Sequence, residues 1–146
     1  RCVNRGISVV QADIDKGLSA IPDESYDYVI LSMTLQVIKK PELAIREMLR
    51  VGKKCIISFP NFGFWKVRAM LSFQGKAPVT RNLPYSWYST PNRNVLSVKD
   101  FRQFCELQDV RIEREIPLST AGGGLMVRQW PNLFAEEAVY VVTAKT

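Results

Sequence analysis

The sequence predicts an α/β protein built on a doubly wound, mostly parallel sheet, and three observations carry that prediction. Tyr28-Val29-Ile30-Leu31 and Cys55-Ile56-Ile57-Ser58-Phe59 are short apolar runs of the kind found in strands covered on both faces. Between them Leu43, Ala44, Met48, Leu49 and Val51 recur at roughly helical spacing. Strand, helix and strand within about thirty residues make a βαβ unit with a right-handed crossover. The 146 residues suit one domain, and that domain is expected to span the whole chain.

In chain order, Ile7-Ser8-Val9-Val10-Gln11-Ala12 reads as the first strand, with Asp13-Ile14-Asp15 just past its end. Pro22-Asp23-Glu24-Ser25 is a turn cluster before the first apolar run. Pro41 suits the first position of the helix that follows. Gly52 is placed to end it in a left-handed conformation, with Lys53 and Lys54 complementing its negative end. Pro60 should stop the next strand, and residues 62–73 read as a helix with a wide apolar face. Residues 76–94 are a long loop rich in proline, asparagine and aromatics, a kind of segment that often carries function. Ser97-Val98-Lys99-Asp100 is a capping-box start to a helix with Val98, Phe101, Phe104 and Cys105 on one side. Residues 110–116 read as an outer strand ended by Pro117, Gly122-Gly123-Gly124 as a mobile loop, and residues 139–144 as a final strand.

The apolar fraction is 47% and the charged fraction 23%, ordinary for a globular protein. No run approaches the 18 apolar residues of a membrane span. No apolar run follows the charges of Arg1 and Arg5, so the start is no signal peptide, and without an initiator Met it is expected to lie inside a longer natural sequence. Cys2, Cys55 and Cys105 are sparse and odd in number, which points to reduced thiols and a cytoplasmic setting. There is no histidine, so Ser-His-Asp or Cys-His catalysis and a histidine metal site are excluded within the chain. No phosphate-loop or GxGxxG pattern is present.

The net charge of +6 is concentrated. Residues 48–99 hold nine bases and no Asp or Glu, while the rest of the chain has 11 bases against 14 acids. Such a segment either attracts an acidic ligand or partner or is a solvated face.

Ligands of open α/β sheets bind beyond the carboxyl ends of the strands. That rule selects Asp13-Ile14-Asp15, Ser32-Met33-Thr34 and Pro60-Asn61-Phe62. The Asp13 carboxylate suits an exocyclic amine such as that of adenine and the Ile14 N–H a ring nitrogen; the alternative is a turn or cap. Ser32 and Met33 either line the same crevice or form an ordinary strand-to-helix junction. The segment Leu83-Pro84-Tyr85-Ser86-Trp87-Tyr88-Ser89-Thr90-Pro91-Asn92 sets Tyr85, Trp87 and Tyr88 between prolines. Those rings would stack on a ligand, anchor a partner protein, or pack as a lid over the sheet. Arg81 and Arg93 beside them would also suit single-stranded nucleic acid, a reading set aside because no RNA-binding motif accompanies them.

The runs Pro22-Asp23-Glu24-Ser25-Tyr26-Asp27-Tyr28-Val29-Ile30-Leu31-Ser32 and Ile57-Ser58-Phe59-Pro60-Asn61-Phe62-Gly63-Phe64-Trp65, the aromatic segment running on to Asp100-Phe101, and Pro131-Asn132-Leu133 resemble the methionine biosynthesis protein MetW family. The resemblance spans nearly the whole chain. It implies a class I methyltransferase-like (Rossmann-like) domain, S-adenosylmethionine as ligand, and a homoserine O-acyltransferase as partner. It places Asp13 and Ile14 at adenine and Ser32 and Met33 on the wall after strand four. Asn61, Trp65, Arg81, Tyr85, Trp87, Tyr88 and Arg93 then form the substrate or partner surface. Phe64, and Asn94 or a neighbour, stand where the family has histidines. The implied strand order is 3-2-1-4-5-7-6, with strands one and two, the glycine-rich loop and the ribose-binding acid expected upstream of Arg1. The strand at residues 7–12 would then pair directly with strand four, pair with another chain in a homo-oligomer, or depend on upstream residues. The function implied is that of an accessory protein of methionine biosynthesis; the alternative is an active methyltransferase on a small molecule, with catalytic residues unassigned. The acceptor is not legible.

Overall fold

The computed structural model describes residues 11–119 and 124–145. Most of the first predicted strand, and Gly122 and Gly123, lie outside them; Gln11 and Ala12 carry no regular structure.

The predicted βαβ unit is present as β1 (Tyr26–Ser32), α1 (Pro41–Val51) and β2 (Gly52–Pro60). β1 and β2 run parallel, with Tyr26 opposite Gly52 and Ser32 opposite Ser58. Gly52 does not take the expected left-handed conformation: its φ is −130° and its ψ 140°, because the chain passes straight from helix into strand. Its missing side chain answers a close approach instead, since a Cβ there would stand 2.4 Å from Val29 Cγ2. Lys53 and Lys54 accordingly lie in β2, where they pair with Asp27 at 2.9 Å and Glu113 at 2.7 Å rather than with the end of α1.

The helix expected over residues 62–73 starts later, as α2 (Trp65–Ala69), and continues as a π-helical turn, Met70–Gln74, closed by Gly75 at φ +63°. Phe64 is extended, and the N–H of Gly63 is taken by Asn61 Oδ1, which delays the helix. Residues 76–97 contain neither helix nor strand, as the composition indicates. α3 (Val98–Leu107) opens on the expected capping box: Ser97 Oγ accepts from Asp100 N and Asp100 Oδ2 accepts from Ser97 N.

β3 (Val110–Ser119), β4 (Leu125–Met126), the short α4 (Pro131–Phe134) and β5 (Glu137–Ala144) complete the order. Pro117 does not end β3. Its carbonyl accepts from Val127 N, so the position that lacks an N–H faces outward and costs no bond to β5.

The sheet order is β1-β2-β5-β3-β4. β1 and β2 are its parallel pair, and β5 runs antiparallel to both β2 and β3, so the described sheet is mixed. β1-β2-β5-β3 reproduces the 4-5-7-6 portion of the implied order. α1 and α3 cover one face. There Leu31, Ile57, Phe59, Tyr140 and Val142 meet Ile45, Met48 and Phe101. The rings of Phe59, Phe101 and Tyr140 lie 4.6–5.7 Å apart, within the range of favourable aromatic pairing.

The expectation that residues 28–31 are covered on both faces is overturned. Tyr26, Tyr28 and Ile30 are 51%, 59% and 66% exposed. They alternate away from α1, and β1 is the edge of the described sheet, so no described strand or helix reaches that side. The three pairings open to the strand at residues 7–12 fall largely outside the described residues.

Candidate functional site

The carboxyl end of β1 makes a tight turn. Met33 adopts φ +47°, left-handed for a residue with a side chain, and is held there by its N–H, which donates to Ser58 O at 3.0 Å and Ser58 Oγ at 3.2 Å. Thr34 Oγ1 donates to Ser32 O, and Ser32 Oγ lies 3.4 Å from Ser58 Oγ. The turn leaves Ser32 exposed and Met33 half-buried at the strand end, where ligands of such sheets sit.

Asp13 caps a single 3-10 turn, Ile14–Lys16; its Oδ1 accepts from Asp15 N at 3.1 Å, and its side chain is 53% exposed. Lys16 Nζ lies 3.7 Å from Asp13 Oδ2. The Ile14 N–H has no partner among the described residues, while its side chain packs against the core. Both the cap reading of Asp13 and a role toward an incoming amine are therefore compatible with one position: one oxygen is used locally and the side chain remains open.

What fixes this turn was not read from the sequence. Asp15 Oδ1 accepts from Lys39 N at 2.9 Å and Lys40 N at 2.8 Å. α1 starts at Pro41 after Lys40, which supplies no side-chain cap. A helix start without its own cap needs an acceptor from elsewhere, and that was the available signal. Glu47 Oε2 adds a second clamp, accepting from Leu18 N at 2.8 Å. Hydrogen bonds from Arg50 and from the Leu18 N–H hold the Glu47 carboxyl down at about 2. Residues 13–18 are thus pinned to α1 and to the segment that leads from Met33 into it.

Asn61, at the end of β2, is 1% exposed, and its amide is engaged inside the fold. Nδ2 donates to Asn132 O at 3.1 Å and Ala135 O at 2.8 Å; Oδ1 accepts from Gly63 N and Val98 N. It joins β2, α3 and α4. A Cβ on Gly63 would meet Asn132 O and Oδ1 at 2.8 Å, so glycine is required beside this hub. Trp65 is 45% exposed, with Lys66 Nζ 5.7 Å from its ring centre.

The aromatic loop is not a packed lid at its rings. Trp87 and Tyr88 are 76% and 75% exposed and meet edge to face at 5.7 Å; Tyr85 is half exposed. The residue that anchors the loop is Leu83, buried against Phe64 and Val67. At its far end Gln36 O accepts from Arg93 N and Asn94 N, and Asn94 Nδ2 donates to Leu35 O and Ile38 O. The loop is thereby fastened to the same turn that carries Met33.

The nine bases of residues 48–99 divide in two. Arg50, Lys53 and Lys54 are neutralised by acids brought in from outside the segment: Asp23 and Glu47, Asp27, and Glu113. Arg81 and Arg93 are exposed and make no ion pair among the described residues, as do Lys66, Arg68, Lys76 and Lys99.

Comparison with known proteins names the family. The family model described as "Methionine biosynthesis protein MetW" matches residues 1–142. The chain belongs to the MetW family. A "Bifunctional methionine biosynthesis protein MetXA/MetW" from Rhodopirellula baltica is 36% identical over 137 residues, which is 92% of this chain and 22% of that protein. The MetW-like chain therefore spans under a quarter of that relative's length. Among solved structures, a SAM-dependent methyltransferase from Thermotoga maritima, described as a possible histamine N-methyltransferase, aligns with a TM-score of 0.66 at 16% identity. It covers 98% of this chain and 66% of the other. An S-adenosylmethionine-dependent methyltransferase from Mesorhizobium loti aligns at TM-score 0.60 and 16% identity, over 94% of this chain and 69% of that one. These likenesses establish a methyltransferase-like fold for this MetW family member. Among the described residues no helix is long and apolar enough to cross a membrane.

The expected S-adenosylmethionine residues are open at the adenine end. Of the groups expected at its adenine, Asp13 and Ser32 are exposed and the Ile14 N–H has no partner among the described residues.

Proposed function

We propose that this chain is the methyltransferase-like part of a methionine biosynthesis accessory protein that works in contact with a homoserine O-acyltransferase. The observation that carries the reading is the Rhodopirellula relative, where a segment of this family lies in one polypeptide with MetXA. Two activities fused in one chain in one organism are commonly partners in another. The exposed aromatic loop with its unpaired bases supplies a surface for that contact, through Trp65, Arg81, Tyr85, Trp87, Tyr88 and Arg93. S-adenosylmethionine enters as a sensed ligand whose adenine end meets Asp13, Ile14, Ser32 and Met33, with its ribose and methionine ends held by groups outside the described residues. The test is biolayer interferometry with an immobilised homoserine O-acyltransferase. Saturable binding that Trp87→Ala weakens by about tenfold or more supports the reading; no binding by the wild-type chain removes it.

A second reading, an active methyltransferase on a small molecule, is favoured by the Ile14 N–H, which has no partner among the described residues and is proposed to meet the adenine. The methyl donor carries the reactive group, so this chain's part would be positioning. Transfer of labelled methyl to a small-molecule pool, lost in Asp13→Ala, would select it over the accessory role.

A further inference from the structure

The clefts around the aromatic loop have a character that the accessory reading does not by itself require. Trp87 stands as a wall between two of them. On one side a cavity of about 480 Å3 is bounded by Gly75, Lys76, Val79 and Tyr88; on the other, one of about 210 Å3 is bounded by Phe62, Pro78, Leu83 and Val95. Ala77 and Trp87 line both. A third cavity, of about 340 Å3, shares Val79 with the first and is edged by Lys66 and Arg81. Linked by these shared residues, the three adjoining clefts make a largely apolar groove with Lys66, Lys76 and Arg81 on its rim.

The cations at that rim are uncompensated among the described residues. At one end of the segment the fold brings acids to the bases: Asp23 and Glu47 to Arg50, Asp27 to Lys53, Glu113 to Lys54. Lys66, Lys76 and Arg81 are exposed with no ion pair among the described residues, and the Lys66 ammonium lies 5.7 Å from the Trp65 ring centre. Glu136 is the carboxylate among the groove's described lining residues, and its backbone is bound on both sides, by Leu118 O and Asn61 N.

We propose that this groove holds an extended, acidic segment of a protein partner, which seats apolar side chains on either side of the Trp87 indole and sets carboxylates against Lys66, Lys76 and Arg81. The partner's identity rests on the acyltransferase reading; the chemistry of the segment does not. Single-stranded nucleic acid fits less well. Trp87 and Tyr88 stand at 88° to one another, so they do not offer successive parallel faces to successive bases. An anionic membrane fits less well too, because the apolar groups line concave clefts rather than a raised stripe.

The experiment uses the chain with four probes: a homoserine O-acyltransferase, a fluorescein-labelled peptide of alternating Glu and Leu, a single-stranded oligonucleotide, and phosphatidylserine vesicles. Fluorescence anisotropy should show the peptide binding, with affinity falling about tenfold in Trp87→Ala and again in the double reversal K76E/R81E, and falling further with added salt. Unchanged thermal melting of both variants shows that the fold is intact. A matched Lys-Leu peptide should not bind. If the acyltransferase binds with an affinity indifferent to the charge reversals and to salt, the accessory reading stands and the acidic-segment inference is overturned. If the peptide binds with this dependence and the acyltransferase does not, the inference stands and the accessory reading falls. Failure of the peptide to bind, or tighter binding of the oligonucleotide or vesicles through the same side chains, overturns the inference.

Discussion

Asn94 is tied to Gln36 and its neighbours by both backbone and side chain. Its N–H donates to the Gln36 carbonyl at 2.9 Å, and its Nδ2 reaches the carbonyls of Leu35 at 3.0 Å and Ile38 at 2.8 Å. One residue thus joins the aromatic loop to the strand-end turn. Asn94→Ala leaves two half-buried carbonyls without that donor and should lower stability by about 2 kcal/mol. Hydrogen exchange should rise across residues 85–96 and little elsewhere; uniform exchange would show that the loop is held by other contacts.

The Glu47 clamp is pH-dependent. Its carboxyl is held at about 2 by hydrogen bonds from Arg50 and from the Leu18 N–H. A carboxyl depressed on folding contributes stability that is full above its ordinary value of 4.5 and is lost as pH falls through about 2. Glu47→Gln should therefore cost about 2 kcal/mol at neutral pH. The gap between the two proteins in urea unfolding should narrow from pH 5 downward. A constant gap would mean that the carboxylate charge contributes nothing.

Titration calorimetry with S-adenosylmethionine should give no saturable heat at micromolar ligand, because the contacts proposed at Asp13, Ile14, Ser32 and Met33 reach the adenine end alone. Binding that tight would require donors to the ribose and methionine ends from somewhere else in the chain.

Cys55 and Cys105 are 0% and 1% exposed, and burial pushes their thiols up to about 11 and about 12. Thiolate is the reactive form, so both should resist alkylation at pH 8 until the protein unfolds. Peptide mapping after iodoacetamide treatment reads each cysteine separately, and native labelling of either would place it in a region that opens.

Tyr28 and Ile30 present an apolar stripe beside a strand edge that no described strand pairs. Such an edge promotes association between chains. Light scattering should show self-association of this chain that falls in the double substitution Tyr28→Lys, Ile30→Lys. A wild-type chain that stays monomeric at high concentration would show that the stripe is already covered.

Much of this architecture was legible because it is local. The helical spacing of Ala44 and Met48, the apolar β2 run and the Ser97–Asp100 box each declare themselves within a few residues, and the family motifs pointed to the methyltransferase-like fold. What was missed depends on distant partners. An apolar run reports that it prefers burial but not what covers it, so β1 was read as covered on both sides. A count of bases along residues 48–99 cannot see Asp23, Asp27 or Glu113 arriving from elsewhere. Asp15 lies 24 and 25 residues from the N–H groups it accepts, and nothing in its immediate surroundings marks it. Asn61 stood out within its motif, but only the fold shows that it joins three elements.

The position of β5 also bears on how the chain comes to be folded during its synthesis. The last of the described strands lies inside the sheet, between β2 and β3. Until residues 137–144 leave the ribosome, the strands made earlier have no common neighbour and the two halves of the sheet remain apart. Some 25 residues separate the end of β3 from the end of β5, a delay of roughly one to five seconds at ordinary rates of elongation. Through that interval the nascent chain displays two long unpaired strand edges and an unfilled site for Tyr140 between Phe59 and Phe101, a state suited to capture by a chaperone.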